Sequence, residues 1–97
     1  MALKTNRWDV TEHLEDEDDI AEYLNAVIEL DDPALLQAAI GDVAKARGMT
    51  KIAKDAGLGR ESLYKSLSAQ GNPSFATMLK VLHALGTRIS IQPEHAN

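Results

Sequence analysis

The chain has 97 residues, 44% of them hydrophobic, a net charge of −5 and no cysteine. At that size and composition one folded domain with a modest core is expected, burying about two-thirds of the unfolded surface. Disulfides, thiolate metal sites and a cysteine nucleophile are excluded. No apolar run approaches the roughly 20 residues of a membrane span, and the start, MALKTNRWD, lacks an apolar signal core, so cytoplasm is the expected compartment.

The charge is unevenly spread. Between Asp9 and Asp32 there are 11 acidic residues and no Lys or Arg, whereas residues 33–97 carry 8 basic residues against 4 acidic ones. Screening over about 8 Å at physiological salt means that a bound polyanion feels the local face rather than the net charge. Such asymmetry points to two partners of opposite sign; the plainer alternative is that the acidic run is a solvated helix face.

In chain order, Trp8, Val10 and Leu14 suggest a short apolar edge on a turn or single helical turn. Residues 16–29 predict a helix, with Ile20, Tyr23, Leu24, Val27 and Ile28 spaced by three and four and an acidic first turn facing the helix dipole. Asp31-Asp32-Pro33 stops it and starts the next, with Asp32 as N-cap and Pro33 at the first position. That helix runs to Arg47, burying Leu36, Ile40 and Val43, with Leu35 and Ala39 as further candidates, and Gly48 ends it.

Residues 49–67, MTKIAKDAGLGRESLYKSL, predict two short helices joined by a glycine-based turn. Ile52, Ala53, Ala56, Leu58, Leu63, Ser66 and Leu67 fall where such a pair packs on itself, with Ala53 at closest approach and Gly57 supplying a positive φ. Arg60, Glu61, Tyr64, Lys65 and Ser68 then point outward, the layout of a helix offered to a DNA major groove. A loop follows at residues 69–73. Ser74 caps a last predicted helix to Leu85, with Phe75, Met78, Leu79, Leu82 and Leu85 as its inner face and Gly86 closing it. Residues 88–92 alternate with isoleucine at both apolar positions and predict a short strand before Pro93. A lone strand needs a hairpin mate, a twin from a second subunit or a partner protein.

The block TKIAKDAGLGRESLYKSLSAQGNPSFATMLKVLHALG resembles the Cro/repressor-type helix-turn-helix. With the preceding acidic region, residues 8–92 resemble the addiction module antidotes, HigA-like antitoxins of type II toxin–antitoxin pairs. The most specific marks are Glu22-Tyr23-Leu24, Arg60-Glu61-Ser62-Leu63-Tyr64 and Gly71-Asn72-Pro73-Ser74. The resemblance implies a small dimeric repressor that binds its own operator and neutralises a RelE/ParE-like toxin. One departure is Gly59, where such sequences often place Ser or Thr to cap the recognition helix; glycine is an acceptable N-cap but offers no hydroxyl to a phosphate.

For DNA binding the candidates are Thr50, Lys51, Arg60, Glu61, Tyr64, Lys65 and Asn72. Arg60 and Lys65 suit guanine O6 and N7, with phosphate contact or solvation as the alternatives. Glu61 either accepts from cytosine N4 or, as favoured here, pairs with Lys65 one turn on. Tyr64 either packs on a thymine methyl or phosphate, or lies partly buried against the last helix. Thr50, Lys51 and Asn72, at a helix start and a loop, suit phosphates. For the basic toxin the candidates are Glu15, Asp18, Asp19 and Glu22; dimerisation through the apolar face of the same helix is the alternative.

A metal site at residues 16–19 is disfavoured, for the glycine and distal glutamate of a calcium loop are missing. His13, His83 and His95 have no partners at catalytic or ligand spacing, so neither enzyme activity nor a cofactor is expected. The expected architecture is all-α, with five helices and a short C-terminal strand. It divides into an acidic helical extension (1–32), a DNA-binding domain (33–87) and a strand and tail (88–97). It is expected to act as a homodimer on double-stranded operator DNA, with the strand or the last helix at the dimer contact. A stand-alone phage-type repressor without a toxin is the rival.

Overall fold

The structure, a computed structural model, describes residue 14 and residues 16–94. Among the described residues five helices follow one another: α1 (Glu17–Ile28), α2 (Pro33–Arg47), α3 (Met49–Ala56), α4 (Arg60–Ser66) and α5 (Phe75–Ala84).

Local chemistry sets the helix starts. Asp16 is extended and its carboxylate accepts the Asp19 N–H at 2.9 Å, with Glu17, Asp18 and Asp19 in the first turn. Asp32 does the same for the Leu35 N–H at 3.1 Å, ahead of Pro33. The Ser74 hydroxyl accepts the Thr77 N–H at 3.1 Å. Between α1 and α2 the chain reverses through Asp31, which has a φ of 55°, a conformation that a short polar side chain tolerates better than most. Gly48, at φ 106°, is at once the C-cap of α2 and the N-cap of α3, so these two helices meet without a loop.

All five helices feed one core. Ile20, Leu24 and Val27 of α1 join Ala39, Ile40, Val43 and Ala44 of α2, Met49, Ile52 and Ala53 of α3, Leu63 and Leu67 at α4, and Val81 and Leu85 at α5. Full burial of a side chain such as Ile20 or Leu63 contributes about 1.5–3 kcal/mol. α3 is the hub, packing against α2, α4 and α5, while α1 lies along α2. At Gly41 of α2 a Cβ atom would sit 3.1 Å from the Leu67 carbonyl oxygen, so that glycine allows α2 to approach the end of α4. Where α5 ends, the Glu17 side chain occupies the space that a Cβ on Gly86 would need.

The structure corrects four expectations. Ile28 and Phe75 are 49% and 70% exposed rather than internal. Ile28 is the last residue of α1 and Phe75 the first of α5, so each shares the phase of an inner face but projects beyond the layer it would pack against. Val81, absent from the expected inner face of α5, is fully buried. Residues 88–92 form no strand, nor does any other described residue; no second strand is there to complete a ladder. Leu14 packs partly buried against the core, whereas Trp8 and Val10 lie outside the described residues.

Candidate nucleic-acid interface

α3 and α4 are joined by the three residues 57–59. Gly57 adopts the left-handed conformation, φ 72° and ψ 32°, and its N–H donates to the Lys54 carbonyl at 3.1 Å. The Leu58 N–H then reaches back to the Ala53 carbonyl at 2.9 Å, and the Leu58 side chain packs partly buried on the core. This glycine-based C-cap turns the chain sharply at little conformational cost. Gly59 is the N-cap of α4 and provides no side-chain hydrogen bond.

Leu63 and Leu67 are held in the core at 1% and 5% exposure, which fixes the rotation of α4 about its axis. Arg60, Glu61, Ser62, Tyr64 and Lys65 are consequently exposed and line a surface hollow of about 520 Å³. Tyr64 leans toward α2: the Lys45 ammonium lies over its ring, 5.1 Å from the centroid, a cation–π contact that neither of the two sequence readings of this residue included. Glu61 and Lys65, expected to pair, form no ion pair with each other, so both head groups remain turned to solvent.

The loop after α4 is fixed from α2. The Gln37 amide donates to the carbonyls of Ser68 and Gly71, each at 3.1 Å, and the Gly71 N–H donates to the Ser68 carbonyl at 2.9 Å. A Cβ at Gly71 would collide with the carbonyls of Lys65 and Ser66. The loop thereby delivers exposed Asn72 to a second hollow that it shares with Lys65. Thr50 is exposed near the start of α3, where Gly48 offers no side-chain cap to the first N–H groups. Lys51 stands apart from the α4 row. Its ammonium lies 2.9 Å from Asp55, and it lines a different hollow with Glu17, Arg47 and His83.

Sequence reasoning missed Lys45, Gln37 and the steric demand at Gly71. Lys45 lies 19 positions before Tyr64, and Gln37 lies 31 and 34 residues from its two acceptors, so no local pattern links them. Gly71 had a signal of its own, a glycine between two helices, but its spatial reason depends on the end of α4.

The acidic face is α1. Asp18 and Glu22 are exposed and Asp19 is partly buried, while Glu15 lies outside the described residues. Glu17 reaches Arg47 of α2 at 4.0 Å. Among the described residues no group of three His, Asp or Glu side chains is placed to hold a metal ion, and no helix is long and apolar enough to cross a membrane.

A short all-helical fold with an exposed polar row on α4 and an acidic first helix defines a class, and comparison with known proteins gives the family. Residues 4–93 match the family described as "Probable addiction module antidote protein", and the chain belongs to it. Antidotes of addiction modules act against a toxin, so a toxin partner of some kind follows from membership. An uncharacterized protein of Haemophilus influenzae (strain Rd) is 49% identical over 92 residues, 95% of either chain. No solved structure matches the chain.

Proposed function

We propose that this chain is an antitoxin that represses its own operon. It binds operator DNA as a homodimer through α3 and α4 and neutralises a basic, RelE/ParE-like toxin through α1; it is not an enzyme. The observation that carries the DNA half is the exposed row Arg60, Glu61, Tyr64 and Lys65, held outward by the buried Leu63 and Leu67. In a major groove Arg60 donates to guanine O6 and N7, a contact worth about 1–3 kcal/mol of discrimination. Lys65 and Asn72, which share a hollow, and Thr50 meet phosphates and set register without reading sequence. Lys51 contributes least, because its ammonium is engaged by Asp55. Two recognition helices related by a twofold axis read half-sites about 34 Å apart. Exposed Lys45, Lys54, Arg60 and Lys65 supply the local positive charge despite the net −5.

For the toxin half, family membership supplies a toxin, and exposed Asp18 and Glu22 supply the complementary charge for a basic surface. Fluorescence anisotropy with the duplex upstream of the gene, a scrambled duplex and an Arg60→Ala/Lys65→Ala variant tests the DNA half. Salt-sensitive binding that prefers the upstream duplex and is lost in the variant is expected. Equal, weak binding to both duplexes would overturn autorepression.

A further inference from the structure

Beyond α5 the chain is built inside out. Residues 90, 92, 93 and 94 line an open groove against the last turns of α1, whose other wall includes Asn25, Ile28 and Asp31. Ile89 and Ile91 do not line it; they face solvent, at 46% and 91% exposure. Ser90, Gln92 and Glu94, themselves exposed, border the groove, and Ile89 and Ile91 point away from it. No backbone group of residues 88–94 takes part in a hydrogen bond within the described chain; the last such bond is from the Thr87 N–H to the Leu82 carbonyl, at 3.0 Å. A β-branched alternating segment with open backbone groups and outward isoleucines has what pairing with another strand requires.

We propose that residues 88–92 pair antiparallel with the same residues of a second copy, about a twofold axis through Ser90, and that this ribbon is the dimer contact. The segment is self-complementary in that register. Ile89 stands opposite Ile91 of the other copy, twice over, which gathers four isoleucines on one face. On the other face Arg88 lies diagonal to Glu94 of the other copy, within reach for a long side chain. The segment 88–94 carries one positive and one negative charge, which suits neither a polyanion nor a strongly basic toxin. A two-stranded ribbon is marginal alone, but here each tail segment is joined directly to the folded body after α5 and borders the groove beside its own α1.

The inference rests on the dimeric part of the proposed function and names its surface, and its readout is mass rather than DNA binding. The full-length chain is compared with Ile89→Asp/Ile91→Asp by sedimentation equilibrium, with circular dichroism to establish that both are folded. The expected result is a wild-type dimer whose dissociation constant rises at least about a hundredfold in the variant, with helix content unchanged. Because the chain has no cysteine, Ser90→Cys gives a single thiol directly opposite its twin, and oxidation is expected to link two copies. Arg88→Cys, which faces Gln92 of the other copy, is not expected to link. A wild-type dimer that survives Ile89→Asp/Ile91→Asp with no Ser90→Cys linkage would overturn the ribbon and leave the dimeric reading standing. Loss of the dimer in Phe75→Asp alone would move the contact to the start of α5. A wild-type monomer would overturn both. Isoleucines that become protected only when a basic toxin is added would make the tail part of the toxin site instead.

Discussion

The acidic α1 and the basic α3–α4 pair are each amphipathic, but they are held in different ways. α1 is placed by one N-cap and three buried side chains, Ile20, Leu24 and Val27. The ion pair from Glu17 to Arg47 is 4.0 Å long and partly exposed on both sides. α4 is a helix of only 7 residues, too short to be stable by itself. It is specified by everything around it: a left-handed glycine before it, Leu63 and Leu67 beneath it, and a loop clamped by Gln37 after it. The difference teaches that a surface meant for shape-specific contact needs its backbone fixed, whereas one working through summed charge needs only to be present and correctly signed.

The largest break in that contrast is expected from Leu63→Ala, which removes the anchor under α4. It is expected to lower stability by about 2–5 kcal/mol in urea denaturation, and DNA binding should fall with it. Gly71→Ala is expected to cost about 1–3 kcal/mol, because the added methyl overpacks the end of α4. The effect should be read both by denaturation and by the affinity of the surviving folded fraction for the upstream duplex. Arg60→Ala separates fold from function: DNA discrimination should fall by about 1–3 kcal/mol, while thermal stability changes by less than about 0.5 kcal/mol. On the acidic side Asp16→Ala should cost about 1 kcal/mol through loss of the cap. Smallest of all, Arg47→Ala, tested as a double-mutant cycle with Glu17→Ala, should give a coupling below about 1 kcal/mol, as expected for an exposed pair. A cycle of several kcal/mol would show that α1 is held more tightly than its contacts suggest.

Much of the fold was legible because its punctuation is local. Asp32 and Ser74 cap their helices, and Gly57 and Gly86 take positive φ where helices end. Each effect acts over three or four residues, the range a sequence displays directly. The inner faces were misread at their ends, and within α5 at Val81. Ile28 and Phe75 keep the period but run past the core, and periodicity carries no information about where a neighbouring layer stops. The polar row of α4 was legible from the spacing of Leu63 and Leu67, but the orientations within it were not. Whether Tyr64 meets Lys45 depends on distances set by α2, and whether Glu61 meets Lys65 on side-chain rotamers that spacing does not fix. The segment 88–92 shows the same limit. Its alternation is visible in the sequence, yet a strand is a property of two segments, and the described residues supply only one of them.

The meeting of Glu17 and Gly86 has a consequence of its own. The described body begins and ends at one place, with the first residue of α1 set against the glycine that closes α5. A circular permutant that links the chain at residue 16 to the chain at residue 87 by a short flexible linker and opens it at the turn around Asp31 should keep the same packing. In it α1 would be the last helix made instead of the first, and the order of synthesis could be varied without altering a single contact in the core.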